Sequence, residues 1–161
     1  MTEKAQDKPQ LLRETDEEAR RLAVLDPATG FPSASRALTA TDLDGVPVIL
    51  ASALSGHTKG LLADPRCSLL AGEPGKGDPL AHPRITVQCL ADVVERPGEA
   101  HDRLRARFLD FHPKAALYVD FPDFRFFRLV PQSAALNAGF GRAYALTRQD
   151  LLSDESVDAS A

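Results

Sequence analysis

The segment Leu50-Ala-Ser-Ala-Leu-Ser-Gly-His-Thr-Lys-Gly-Leu-Leu62 concentrates side chains that could hold a ligand. It reads as a strand end running into a helix start. Hydroxyls at Ser52, Ser55 and Thr58 surround that start, and Lys59 adds a cation. Backbone N–H groups exposed at a helix N-terminus carry partial positive charge and can, with such hydroxyls, cradle a phosphate. The same residues also suit a simple cap, with Ser55 closing the first turn and His57 and Lys59 in solvent. Residue chemistry alone leaves both readings open.

Two further groups could add to such a site. On an extended Pro32-Ser-Ala-Ser-Arg-Ala-Leu38, Arg36 shares a face with Ala34 and Leu38, so a buried guanidinium there would need an anionic partner. A surface salt bridge is the alternative. Arg84, Thr86 and Gln88 form a polar stripe on a strand whose opposite face carries Ile85, Val87, Cys89 and Ala91. Such a stripe faces water or meets the edge of a planar ligand.

Other chemistry lacks support. Gly75-Lys76-Gly77 is not a phosphate-binding P-loop, because Leu70 stands where the first glycine is required and no Ser or Thr follows the lysine. There is no dinucleotide fingerprint and no Gly-x-Ser-x-Gly elbow. His57, His82, His101 and His112 show no His-x-x-x-His spacing and no Cys-x-x-Cys partner, so no metal site is expected. Cys67 and Cys89, each in an apolar stretch, read as reduced core residues. A reaction catalysed here would therefore draw on a cofactor rather than on a nucleophile and base.

The elements that must position these residues lie within one domain. The chain has 161 residues, 43 % hydrophobic and 26 % charged, a globular composition. Its net charge of −4 is unevenly placed. Residues 1–20 hold four bases against six acids and residues 151–161 hold three acids and no base, leaving residues 21–150 at +1. This excludes a general nucleic-acid or anionic-membrane binder but permits a small local anion site. No apolar run is long enough to span a membrane and the polar opening is not a leader, so a cytoplasmic protein is expected.

Residues 1–14 and 153–161 are expected to be flexible tails flanking a domain over 15–152. A helix is predicted over Asp16–Leu25 after a Thr15 cap, its last residues able to join a strand. Turns at Asp26-Pro-Ala-Thr-Gly30 and Asp42-Leu-Asp-Gly45 separate strands over Pro32–Ala40 and Val46–Ser52. A helical turn at His57–Ala63, strands over Arg66–Gly72 and Arg84–Glu95, and a helix from Pro97 to Phe111 follow. A short helix over Lys114–Val119, a strand over Phe124–Leu136, a glycine loop over Asn137–Ala143 and a helical turn over Leu146–Leu152 complete the chain. Strands with few intervening helices imply a mainly β, α+β architecture: a small barrel with peripheral helices.

Three segments in order resemble the flavin-binding split-barrel family of pyridoxamine 5′-phosphate oxidase-like proteins, especially its haem-utilisation branch. They are Leu22–Leu38, Ser52–Leu62 with its His-Thr-Lys, and Phe121-Pro-Asp-Phe-Arg-Phe-Phe-Arg-Leu129 followed by Leu136-Asn-Ala-Gly-Phe-Gly-Arg-Ala143. The resemblance implies a six-stranded antiparallel split barrel and a homodimer with FMN at the interface. It implies that Ser35 and Arg36 lie beside the FMN phosphate and ribityl chain, that Ser52, His57, Thr58 and Lys59 complete the phosphate site, and that Arg84 and Gln88 approach the isoalloxazine edge. Family members often carry a second cation before the lysine; His57-Thr58 stands there in this chain. The loop carrying Asn137, Gly139 and Arg142 is similar to the branch's glycine loop, which implies contact with a cofactor or planar substrate.

Three functions follow as expectations. The first is an FMN-dependent oxidoreductase with an unassigned small-molecule substrate. The second is a haem-binding protein of haem utilisation, without the family's full haem cleavage because no histidine follows His112. The third is a non-catalytic flavin-binding module. The absence of tryptophan disfavours vitamin B6 oxidation, whose family pattern includes a C-terminal Trp.

Overall fold

A computed structural model describes residues 19–152. The two predicted tails and the Thr15 cap lie outside the described residues. Strands β1 (Ala19–Leu25), β2 (Pro32–Thr41) and β3 (Pro47–Ser52) lead to helix α1 (Gly56–Ala63) and strands β4 (Arg66–Ala71) and β5 (Arg84–Val93). Helix α2 (Glu99–Phe111), strands β6 (Phe124–Asn137) and β7 (Ala143–Thr147) and the single turn α3 (Arg148–Leu151) follow, with short 3-10 turns at Pro79–Ala81 and Pro113–Leu117.

The described part of the first predicted helix is a strand. Leu22 and Val24 are buried while Arg21, Ala23 and Leu25 are half-buried, an alternation of period two. Pairing decides the conformation: β1 lies between β2 and β4, with Leu22 opposite both Ser35 and Leu69. Helical spacing of Leu22 and Ala23 is overridden by two ladders of hydrogen bonds.

All strand pairs are antiparallel, in the order β3-β2-β1-β4-β5-β6, and β3 pairs with β6 to close a six-stranded barrel. The seventh strand replaces the first part of the helical turn expected over Leu146–Leu152. It pairs with the end of β6, Asn137 opposite Ala143 and Ser133 opposite Thr147, as the second arm of a hairpin around the glycine loop. The 14-residue β6 meets β3 through residues 124–128, β7 through residues 133–137 and β5 along its other edge.

Two apolar clusters hold this arrangement. Leu22, Val24, Ile49, Leu69, Val87, Phe127 and Leu129 fill the barrel together with Leu61 of α1. Outside it, Leu104 and Phe108 of α2 pack on Val48, Val119 and Phe126. Each large side chain buried this way stabilises the fold by about 1.5–3 kcal/mol relative to exposure. Among the described residues no helix is long and apolar enough to cross a membrane.

Candidate functional site

Helix α1 is seated directly on β1. A Cβ on Gly60 would lie 2.8 Å from Val24 Cγ2 and 2.9 Å from the Leu25 carbonyl oxygen, so only glycine permits this approach. The seating sets where the helix begins. Ser55 caps it, its Oγ accepting from the Thr58 amide at 3.3 Å, donating to the Ser52 carbonyl at 2.9 Å and meeting Thr58 Oγ1 at 2.6 Å. Thr58 is buried. Ser52 Oγ donates to Asp123 at 2.8 Å and accepts from the Leu54 amide at 3.2 Å. The hydroxyls of Ser52 and Thr58 are thus engaged within the protein.

The start of α1 also meets β2. Ser35 Oγ lies 3.3 Å from His57 Nδ1, joining two of the predicted site residues that are 22 positions apart. His57 is half-buried, and that burial pushes its pKa below the ordinary 6.5, keeping the imidazole neutral. With Nδ1 held by Ser35, Nε2 is left for another partner. Arg36 follows Ser35 on β2, and Lys59 lies two residues beyond His57; both are exposed. Among the described residues, neither cation makes an ion pair. Arg36 thus lies on the solvent side of β2 rather than buried in an apolar row.

A second group gathers around the far end of β5 and β6. Arg84 Nη1 donates to the Leu80 carbonyl at 3.1 Å and the His82 carbonyl at 3.5 Å, tying down the loop before its own strand. Arg84 is paired in register with Asn137. Gly139 takes φ +109°, and a Cβ there would stand 3.1 Å from the Ala81 carbonyl, so the glycine loop lies against the Pro79–Ala81 turn. The loop closes on itself, the Ala138 amide donating to the Arg142 carbonyl at 2.8 Å, and leaves Arg142 exposed.

Gln88 belongs to neither group: its Oε1 accepts from Ser133 Oγ at 3.1 Å. It borders a cavity of about 450 Å³, lined also by Leu25, Pro32, Ser68 and Gln132. Sequence reasoning missed Asp123, which holds Ser52; its place in a Phe-Pro-Asp-Phe turn gave no sign of a partner 71 residues earlier. Among the described residues no group of three His, Cys, Asp or Glu side chains could hold a metal ion.

A closed six-stranded barrel with a helix seated at the end of β1 defines a split-barrel protein. No family model matches the chain. It is 40 % identical over 116 residues to the chloroplastic heme oxygenase HOZ of Arabidopsis thaliana, covering 71 % of this chain and 34 % of that protein. It is 29 % identical over 135 residues to the heme oxygenase HutZ of Vibrio cholerae, covering 82 % of this chain and 76 % of HutZ. A heme binding protein from Mycobacterium smegmatis superposes with a TM-score of 0.80 at 30 % identity, covering 91 % of this chain and 59 % of that one. The chain belongs to the haem-utilisation branch of the pyridoxamine 5′-phosphate oxidase-like split barrels. It spans about a third of the length of the Arabidopsis relative.

Proposed function

We propose that this protein binds haem as a component of haem utilisation, acting as a homodimer. The half-buried His57 carries this reading: its ring is neutral and held at Nδ1 by Ser35, and the cations next to these two residues in the chain, Arg36 and Lys59, have no carboxylate partners among the described residues. A neutral imidazole fixed through one nitrogen is the usual form of a histidine that ligates iron through the other. Arg36 and Lys59 would pair with the haem carboxylates, and Ser35 would hold the His57 ring plane. Bound haem would supply a redox-active iron. The relatives' functions, heme oxygenase and heme binding, favour this ligand over others.

Titration of the purified protein with haemin tests the reading. A Soret band that saturates at one haem per chain, and that shifts or weakens in His57→Ala, is expected; absence of the band, or an unchanged band in the variant, overturns the assignment of His57. Adding a reductant then separates binding from turnover, since a stable band limits the activity to binding while bleaching with iron release extends it to cleavage. Sedimentation of the same sample measures whether the chain is a dimer.

One observation favours FMN as a second reading. The N-terminus of α1, with Lys59 on the same helix, suits a phosphate as well as a carboxylate. The internal bonds of Ser52 and Thr58 reduce the number of hydroxyls free for that phosphate. Release of yellow flavin on denaturing the purified protein would favour the FMN-dependent oxidoreductase, with Gln88 and Arg84 toward the flavin edge.

A further inference from the structure

We propose that His101 is an acid-sensitive latch: as a neutral ring it holds the first turn of α2 on the barrel, and once protonated it releases that turn. The residue is 5 % exposed and lies with Leu104 and Phe108 on the buried side of the helix. Its ring packs on Phe126 of β6, the centroids 5.3 Å apart. A leucine would suit this apolar contact, whereas His101 brings in a buried Nδ1 that has no hydrogen-bond partner among the described residues. An unpaired polar atom in an apolar cluster is costly, and a proton there turns it into a buried charge.

The surroundings offer that proton no acceptor. On α2 itself Asp102 is exposed, and Arg105 is a cation. The linker between β5 and α2 contributes a second cation, Arg96, fixed in place as it donates to the carbonyls of Asp120 at 2.8 Å and Phe121 at 2.9 Å. Asp120, the carboxylate supplied by the loop before β6, has both oxygens bonded by Arg105 at 2.8 Å. His101 is also the third residue of α2, where the positive end of the helix dipole opposes a cation. Burial and the charges of Arg96 and Arg105 outweigh those of Asp102 and Asp120, so the imidazole stays below its ordinary 6.5. A histidine depressed in this way contributes stability that is complete above its unfolded value and is lost as pH falls below 6.5 toward the folded one.

The release is confined to the start of the helix because the remainder has other anchors. Gly98 gives α2 no side-chain cap and Glu99 is exposed, so Ala100 and His101 are what the first turn sets against the barrel. Further along, Arg103 is bound to Asp42, Arg107 Nε donates to the Thr41 carbonyl at 2.8 Å, and Leu104 and Phe108 are buried. At the opposite end His112 is buried too, but its Nε2 donates to the Thr39 carbonyl at 2.8 Å. Two buried histidines thus stand at the two ends of α2, one paired with the barrel backbone and one unpaired at Nδ1.

Amide hydrogen exchange, expressed as protection factors, reads the two halves of the helix separately. Between about pH 7.5 and about pH 5.5, protection of residues 102–105 should fall about fivefold to tenfold while that of residues 108–112 stays within about twofold. His101→Leu should remove the fall, and the imidazole resonances of His101 in the native protein should follow the same pH course as the exchange. The proposal is overturned if residues 102–105 keep their protection, if both halves lose it together, or if His101→Leu loses it as the native protein does. The comparison within the native helix decides even where the variant folds poorly.

Discussion

Two sets of cations in this molecule face opposite fates. At the shoulder where α2 packs on the barrel, Arg103 makes a two-point contact with Asp42, both bonds at 3.1 Å, and Arg128 reaches Asp42 and, at 2.8 Å, Asp44. The Asp42 side chain is fully buried between them. On β2 and α1, Arg36 and Lys59 are exposed, with no ion pair among the described residues. The first set is satisfied by the fold, which joins the β2–β3 turn to α2 and β6. The second has no internal partner among the described residues. Internal pairing, more than charge itself, distinguishes a cation that builds the protein from one that can hold a ligand.

Breaking the first set should have the largest effect. Asp42→Ala leaves the half-buried Arg103 without its carboxylate and Arg128 with Asp44 alone, and is expected to lower unfolding stability by about 3–5 kcal/mol, read by urea denaturation. Gly60→Ala should cost about 1–3 kcal/mol, because the added methyl must displace Val24 or the Leu25 backbone. It should weaken haemin binding as well, since α1 carries His57 and Lys59. Arg36→Ala and Lys59→Ala sharpen the contrast: each should leave stability within about 0.5 kcal/mol yet lower haemin affinity roughly threefold to tenfold. Arg142→Ala, in the distant glycine loop, should change neither.

The smallest effect lies in pH. Burial pushes Asp42 up, but hydrogen bonds from Arg103 and the Leu43 amide and the charges of Arg128 and Arg103 outweigh it, leaving the pKa below the ordinary 3.8. An acid with a depressed folded-state pKa contributes stability that is complete above its unfolded value and disappears as pH falls through the folded one. The stability difference between the native protein and Asp42→Asn should therefore narrow as pH drops below 3.8. A constant difference down to complete protonation would show that the charge of Asp42 is not what holds Arg103 and Arg128.

The alternation of Ile85, Val87 and Cys89 and the turns at Asp26 and Asp42 made β2, β3 and β5 legible, because a face buried in a barrel imposes period two directly on the chain. Helix α2 was legible from Leu104, Phe108 and their spacing, although it begins at Glu99, two residues after Pro97. The β1 strand was not, since Leu22 and Ala23 satisfy helical spacing as well and only the flanking strands decide. Nor was β7, whose five residues carry a single buried side chain, Leu146. In the candidate site, the residue types around α1 were legible as a group, and the resemblance supplied Ser35, which the structure places beside His57. Which hydroxyls were already engaged depended on Asp123 and on the cap geometry, relations between distant positions that no local pattern encodes.

The closure of the barrel also bears on how the protein avoids uncontrolled edge-to-edge pairing of its strands. β3 takes only residues 39–41 of β2 as partners, so the first part of β2 has a ladder on its β1 side alone among the described residues. A half-paired strand can recruit another chain edge to edge. Pro32 withholds a donor at its beginning and Arg36 places a charge in its middle. The residue proposed to meet a carboxylate thus stands guard on an open seam, and an uncharged side chain there would expose the protein to strand-by-strand aggregation.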